Sequence, residues 1–247
     1  MEHNHETSMI NTAANIYQIK ITLIGIHPPV WRRIEVSGDT KLDALHAIVQ
    51  NVMGWEDEHL HAFQVGRVVY AIPDSMSKDN NTDERHVRLD QIAHQGDSIR
   101  YEYDFGDSWV HRLEIEKAIT PEPGTHYPRC TEGERACPPE DSGGPWGYTD
   151  LLTVIENPEH EDHADRLAWL GENFDPEHFD LEAVNARFYA QCVVAEIPLY
   201  DAGTLAAFTP AQLVEVLVEN EDRVRRNIID ECTRRGDAML EVLAAWS

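Results

Sequence analysis

The amino-acid sequence predicts an α+β fold, with a β-grasp-like, mostly antiparallel sheet, one packed helix and a helical C-terminal region. Apolar and polar side chains alternate in the first segments, which is the period of half-buried strands. One stripe of apolar residues at helical spacing follows the first two strands. Hydrophobic residues make up 42% of the 247 residues, which is enough to bury a core despite a net charge of −25.

The first three elements follow directly from these patterns. Residues 17–23 alternate as a strand, and residues 30–36 form its antiparallel partner. Thr40 is predicted to cap a helix whose apolar stripe covers residues 42–52, and Gly54 ends that helix.

Strands and helices continue along the chain in separate zones. Further strands are predicted at residues 61–65, 68–72, 98–105 and 108–119. A hairpin, a helix and then more strands is the order of a β-grasp core, and an antiparallel sheet with the helix on one face and another strand order fits as well. The Pro- and Gly-rich residues 120–148 are predicted to form an ordered loop. Helical patterns follow at residues 149–156, 162–171, 180–190, 209–219, 222–235 and 237–246.

These patterns divide the chain into a disordered tail (1–15), an α+β domain (16–190) and a small helical C-terminal region (199–247). Of the net charge of −25, −17 falls after residue 120. An acidic chain is unsuited to binding nucleic acid by neutralising phosphates, or to docking on an anionic membrane. The acidic helical region is therefore expected to contact a protein partner.

The expected location is the cytoplasm. Four cysteines in a chain of this length do not form a disulfide scaffold. No apolar run reaches the roughly 18–20 residues of a membrane span. The polar N-terminal residues lack the apolar centre of a signal peptide.

The first motif that could bind a metal is the pair His59 and His61. On a strand, residues two apart share one face, so two imidazoles could meet one ion, with nearby acids completing its shell. In the alternative, His61 is hydrogen-bonded at the edge of the core and His59 is solvated.

The second motif follows the turn at Gly106-Asp107. Strand alternation places His111 among apolar neighbours, and a buried imidazole needs a partner. Asp104 or Asp107 could be that partner or a fellow metal ligand. In the alternative, Asp107 caps the turn and His111 satisfies a backbone carbonyl.

The third motif lies in the predicted loop. Cys130 and Cys137 have six residues between them, which is outside the spacing of a zinc knuckle, but they could lie close across the loop. Two prolines stiffen the backbone that presents Glu140 and Asp141. The alternative is a rigid cover over the sheet.

The complete set of predicted metal ligands is His59, His61, Asp104, Asp107, His111, Cys130, Cys137, Glu140 and Asp141.

Several motifs in a fixed order resemble the plasmid pRiA4b ORF-3-like family over about residues 16–190. The matching segments are Pro29-Val30-Trp31-Arg32-Arg33, Gly54-Trp55, His59-Leu60-His61-Ala62-Phe63, residues 103–111, residues 137–144, and residues 175–180 with Asn185. The resemblance implies an α+β domain and carries no established activity. Some members carry a transposon-passenger or resolvase-like label.

Three functions fit these residues. The favoured one is a non-catalytic binding or adaptor module that holds a divalent metal, zinc or a similar ion. The second is a metal-dependent hydrolase, in which the seven non-cysteine ligands bind an ion and a carboxylate acts as general base for its water. The third is a plasmid- or transposon-associated accessory that contacts DNA. Its basic candidates are Arg223, Arg225, Arg226, Arg234 and Arg235.

Overall fold

A computed structural model describes residues 15–73, 81–171 and 174–195. The strands are β1 Ile16–Leu23, β2 Trp31–Ser37, β3 His61–Val65, β4 Val68–Ala71, β5 Thr82–Asp83, β6 Ser98–Tyr103, β7 Trp109–Ile119 and β8 Arg129–Glu134. The helices are α1 Leu42–Met53, α2 Leu89–Ile92, α3 Gly144–Glu156, α4 His163–Leu170 and α5 Leu181–Ala195, and a 3₁₀ turn covers Glu84–His86. The predicted C-terminal helical region, its five arginines and residues 1–14 of the predicted tail lie outside the described residues.

The described strands form one sheet in the order β5-β4-β3-β6-β7-β1-β2-β8. The pairings are antiparallel except for the short parallel pair of β4 and β5. The predicted α+β fold with a mostly antiparallel sheet is therefore confirmed. The β-grasp order is not confirmed: a β-grasp has a parallel central pair, whereas β1 lies antiparallel to both of its neighbours.

The predicted loop over residues 120–148 contains two regular elements. β8 pairs with β2 at the edge of the sheet, and α3 begins at Gly144. β8 carries no alternating pattern because, of its six residues, only Cys130 is buried. The predicted cap of α1 is also corrected, since Lys41 rather than Thr40 occupies the N-cap.

The core packs against one face of the sheet. In β1, Ile19, Ile21 and Leu23 are at most 1% exposed, whereas the residues between them are partly exposed, as the alternation predicts. α1 buries Leu42 and Val49 completely. Polar side chains share this interior, namely His46, His61, Glu84, Asp104 and His111. In the described part of the chain, no helix has both the length and the apolar character to span a bilayer.

Candidate metal centre

The candidate site lies at one end of the sheet, where the chain enters β3 and leaves β6. His61 at the start of β3 pairs with Tyr103 at the end of β6, and Tyr103 pairs with Trp109 at the start of β7. The Asp104 N–H donates to the Leu60 carbonyl at 2.9 Å, one residue beyond these strands. The segments before β3 and after β6 are therefore held side by side.

The loop between β8 and α3 is anchored to this end of the sheet. The indole N–H of Trp55 donates to the Pro138 carbonyl at 2.9 Å. The Gly143 N–H donates to Oδ2 of Asp107 at 2.9 Å, so the predicted ligand Asp107 holds the loop. Asp141 lies between these two contacts, so its backbone is held near this end of the sheet.

Three of the predicted ligands converge here. His59 Nε2 lies 3.4 Å from Oδ1 of Asp141, and His59 Nδ1 lies 3.9 Å from Oδ1 of Asp104. One ligand atom from each residue lies within 4.8 Å of the others. The side chain of Asp104 is 12% exposed and that of Asp141 is 71% exposed, so the cluster opens to solvent at Asp141. His59, Asp104 and Asp141 are referred to below as the open site.

Both carboxylates of the open site come from residues with left-handed backbones. The φ angle is 53° at Asp104 and 57° at Asp141. Asp57, two residues before His59, has a φ of 59°. Such conformations are uncommon for non-glycine residues, cost roughly 1–3 kcal/mol each, and are concentrated at functional sites. Three of the five left-handed non-glycine residues in the described chain are thus aspartates that face a histidine.

Tyr103 fixes the predicted ligand Glu140 beside the open site. The Tyr103 hydroxyl donates to Oε1 of Glu140 and accepts from the Glu58 N–H at 3.0 Å. Burial, together with the bond to Glu140, raises the pKa of Tyr103, so the hydroxyl remains protonated at neutral pH. Oε2 of Glu140 accepts from the Glu56 N–H at 3.1 Å. Because both of its oxygens are engaged, Glu140 is a neighbour of the open site rather than a free ligand.

The other two predicted histidines lie outside the open site. His61 Nε2 lies 2.8 Å from Oε1 of Glu84. His111 is fully buried with its Nδ1 3.1 Å from the Trp109 carbonyl, and burial lowers the pKa of His111 to about 3. His59 precedes β3, which begins at His61, so strand alternation does not bring these two imidazoles together.

The predicted ligands Cys130 and Cys137 interact with a buried arginine instead. Arg32 is 2% exposed and donates from Nε to the Val52 carbonyl at 3.0 Å. Burial raises the pKa of Cys130 to about 11 and also raises the pKa of Cys137, while the positive charge of Arg32 opposes both shifts. Burial therefore favours the neutral thiol, and neither cysteine belongs to a cluster of three possible metal ligands among the described residues.

A second cluster joins His61 to three residues that the sequence analysis did not select. His46 stacks on His61, and Asp57 and Glu84 accept from these two rings. His46 could have been selected from the sequence, because a histidine within the apolar stripe of α1 is expected to be buried. Glu84 had no such signal, because it belongs to a 3₁₀ turn without periodicity. His46, Asp57, His61 and Glu84 are referred to below as the buried cluster.

Comparison with known protein families shows the family to which this chain belongs. The profile of the plasmid pRiA4b ORF-3-like proteins matches residues 15–183. The chain belongs to this family. The match includes every residue of the open site and of the buried cluster, so both lie within the matched segment.

Two relatives of this pRiA4b ORF-3-like protein extend the comparison. The uncharacterised protein y4hQ of Sinorhizobium fredii is 39% identical over 160 residues, which cover 64% of this chain and 82% of the relative. The crystal structure of MM3350, a protein of unknown function from Methanosarcina mazei Go1, matches with a TM-score of 0.66 and 38% identity. That match covers 69% of this chain and 98% of MM3350. The relatives support the fold and the family, and they bring no activity with them.

Proposed function

We propose that this protein is a binding or adaptor module that holds a divalent metal, zinc or a similar ion, at the open site. The observation that carries the proposal is the convergence of His59, Asp104 and Asp141, with one ligand atom from each within 4.8 Å of the others. Imidazole nitrogen and carboxylate oxygen are both ligands of zinc.

The state of the His59 ring supports this assignment. Its Nε2 is a buried atom with no hydrogen-bond partner among the described residues, although Asp141 lies 3.4 Å away. Asp104 and Asp141 together carry two negative charges against one imidazole. A divalent cation would offset their repulsion and would give the Nε2 atom a partner.

An adaptor role is supported by surface features outside the open site. α4 has no buried residue, and Leu167 and Trp169 on this helix are 42% and 49% exposed. This surface suits contact with a protein partner. The acidic composition of residues 199–247, which lie outside the described residues, suits the same role. The free cysteines Cys130 and Cys137 are in keeping with a cytoplasmic location.

A metal-dependent hydrolase is the second candidate, and the exposure of Asp141 favours it. Three protein ligands leave a coordination position for water, as in catalytic zinc sites. Glu140 is the adjacent carboxylate that could act as general base after release from Tyr103. Turnover of a panel of phosphate and carboxylate esters that is lost in Asp104→Asn would select this candidate over the adaptor.

Metal content tests the proposed function. The full chain and its variants His59→Ala and Asp104→Asn would be purified without chelator, and their bound metals quantified by mass spectrometry. His94→Ala is the matched control, because His94 is exposed and belongs to neither cluster. Loss of about one metal ion per chain in the two site variants, but not in the control, is the expected result. Equal metal content in all four proteins would contradict the proposal.

A further inference from the structure

The buried cluster is built around two stacked histidines. His46 on α1 and His61 on β3 are 6% and 7% exposed. Their ring centroids are 3.4 Å apart, and the ring planes deviate from parallel by 3°. The stack therefore brings an imidazole of α1 into contact with an imidazole of β3 inside the protein.

Each ring of the stack faces a carboxylate. His46 Nε2 lies 2.8 Å from Oδ1 of Asp57, and His61 Nε2 lies 2.8 Å from Oε1 of Glu84. One ligand atom from each of His46, Asp57 and His61 lies within 4.8 Å of the others. The Asp57 side chain is 44% exposed, which gives an ion a path from solvent.

Glu84 is a buried carboxylate, and only one of its two oxygens has a partner among the described residues. Its exposure is 0%, and Oε2 has no hydrogen-bond partner there. Its ion-pair partner in that part of the chain is the imidazole of His61. A buried carboxylate is costly unless a cation or several donors compensate it, so a cation bound at this cluster would stabilise Glu84.

The second nitrogen of His46 is held by a neutral hydroxyl. His46 Nδ1 lies 2.8 Å from the Tyr101 hydroxyl, which also accepts from the Gln50 side chain at 2.9 Å. Complete burial raises the pKa of Tyr101 well above its ordinary value, and burial lowers the pKa of His46. Histidines that bind metals are oriented in this way, with an outer partner on the ring nitrogen that does not bind the ion. Glu84 is the equivalent partner of His61.

We propose that His46, Asp57 and His61 bind a second divalent ion, with Glu84 and Tyr101 orienting the two histidines. Zinc matches a set of two imidazoles and one carboxylate. The charge of the ion would balance the two carboxylates, Asp57 and Glu84. The ion would stabilise the fold, because it joins α1 to β3 and to the turn that carries Glu84. This site shares no ligand with the open site and does not depend on it.

Zinc titration of the full chain distinguishes the two sites. Protein stripped with a chelator would be titrated with zinc alone, and both the bound equivalents and the zinc-induced rise in Tm would be measured. The variants are Asp57→Asn, Glu84→Gln and His59→Ala, with His94→Ala as the control. Asp57→Asn is isosteric at a half-exposed position, and Glu84→Gln keeps a hydrogen-bond acceptor for His61. Circular dichroism verifies that each variant folds.

The proposal predicts that Asp57→Asn binds about one zinc fewer than the wild type and loses most of the rise in Tm. Glu84→Gln should bind the same zinc about 10- to 100-fold more weakly. Wild-type stoichiometry and affinity in both variants would overturn the buried site. Complete loss of bound zinc in His59→Ala would also overturn it, because the buried site does not use His59. The His59→Ala variant tests the open site separately, so that failure of one site is not mistaken for failure of the other.

Discussion

The imidazole rings of His46 and His61 lie face to face, with centroids 3.4 Å apart and planes within 3° of parallel. This contact joins α1 to the first residue of β3. His59, two residues earlier, faces Asp104 and Asp141 instead. One short segment therefore supplies a histidine to each of two clusters, one buried and one open to solvent.

Replacing His111 with Phe is expected to make the fold less sensitive to acid. Burial lowers the pKa of His111 to about 3, whereas an unfolded histidine has a pKa of about 6.5. Between these values the unfolded chain binds a proton that the native chain does not. The free energy of unfolding therefore falls as the pH falls from about 6.5 toward 3.

Urea unfolding at about pH 7 and about pH 4.5 measures this effect. His111→Phe keeps an aromatic ring in the T-shaped contact with Trp55 but loses the bond to the Trp109 carbonyl, so it is less stable at both pH values. The relevant quantity is the loss of stability between them. That loss should be smaller in the variant than in the wild type, and an equal loss would refute the role assigned to His111.

Gly144→Ala is expected to displace the loop that carries Asp141. A Cβ atom at this position would lie 2.3 Å from the Asp107 carbonyl oxygen, and the φ angle is +68°. Gly66→Ala is the control, because its φ is +58° but no atom lies within 4 Å of its Cβ. Gly144→Ala should lose about 1–3 kcal/mol more stability than the control and should bind less metal at the open site. Equal unfolding free energies and metal contents would show that the contact with Asp107 does not position the loop.

Asn185→Ala is expected to weaken the attachment of α5 to the sheet. The Asn185 side chain accepts from the Cys130 N–H at 2.8 Å and donates to the Cys130 carbonyl at 2.9 Å, which satisfies the free edge of β8. Loss of both bonds should lower the unfolding free energy by about 1–3 kcal/mol. Glu182→Ala, exposed on the same helix, is the control and should change it little. Equal effects in chemical denaturation would argue against this attachment.

The sequence was informative about the fold where side chains alternate or repeat. β1 and α1 were predicted because burial of one face imposes a period on their residues. β8 was missed because it buries little of its own surface and is held by β2 and by Asn185. The strand order was open because hydrophobic periodicity does not specify which edges pair.

The three residues of the open site were among the nine predicted ligands, but the sequence did not group them. His59, Asp104 and Asp141 were selected among nine candidates, since each belongs to a short polar motif. Sequence spacing could not separate them from His111, because turns at Asp104 and Asp141 redirect the chain. Of the buried cluster only His61 was predicted, because His46, Asp57 and Glu84 come together with it only through tertiary packing.

Anomalous diffraction from crystals grown with zinc is the most direct test of the open site. Difference maps recorded above and below the zinc absorption edge locate the ion independently of any assumed ligand. The account predicts a peak about 2.0–2.2 Å from ligand atoms of His59, Asp104 and Asp141. Crystals that contain zinc elsewhere but show no anomalous peak among these three residues would contradict it.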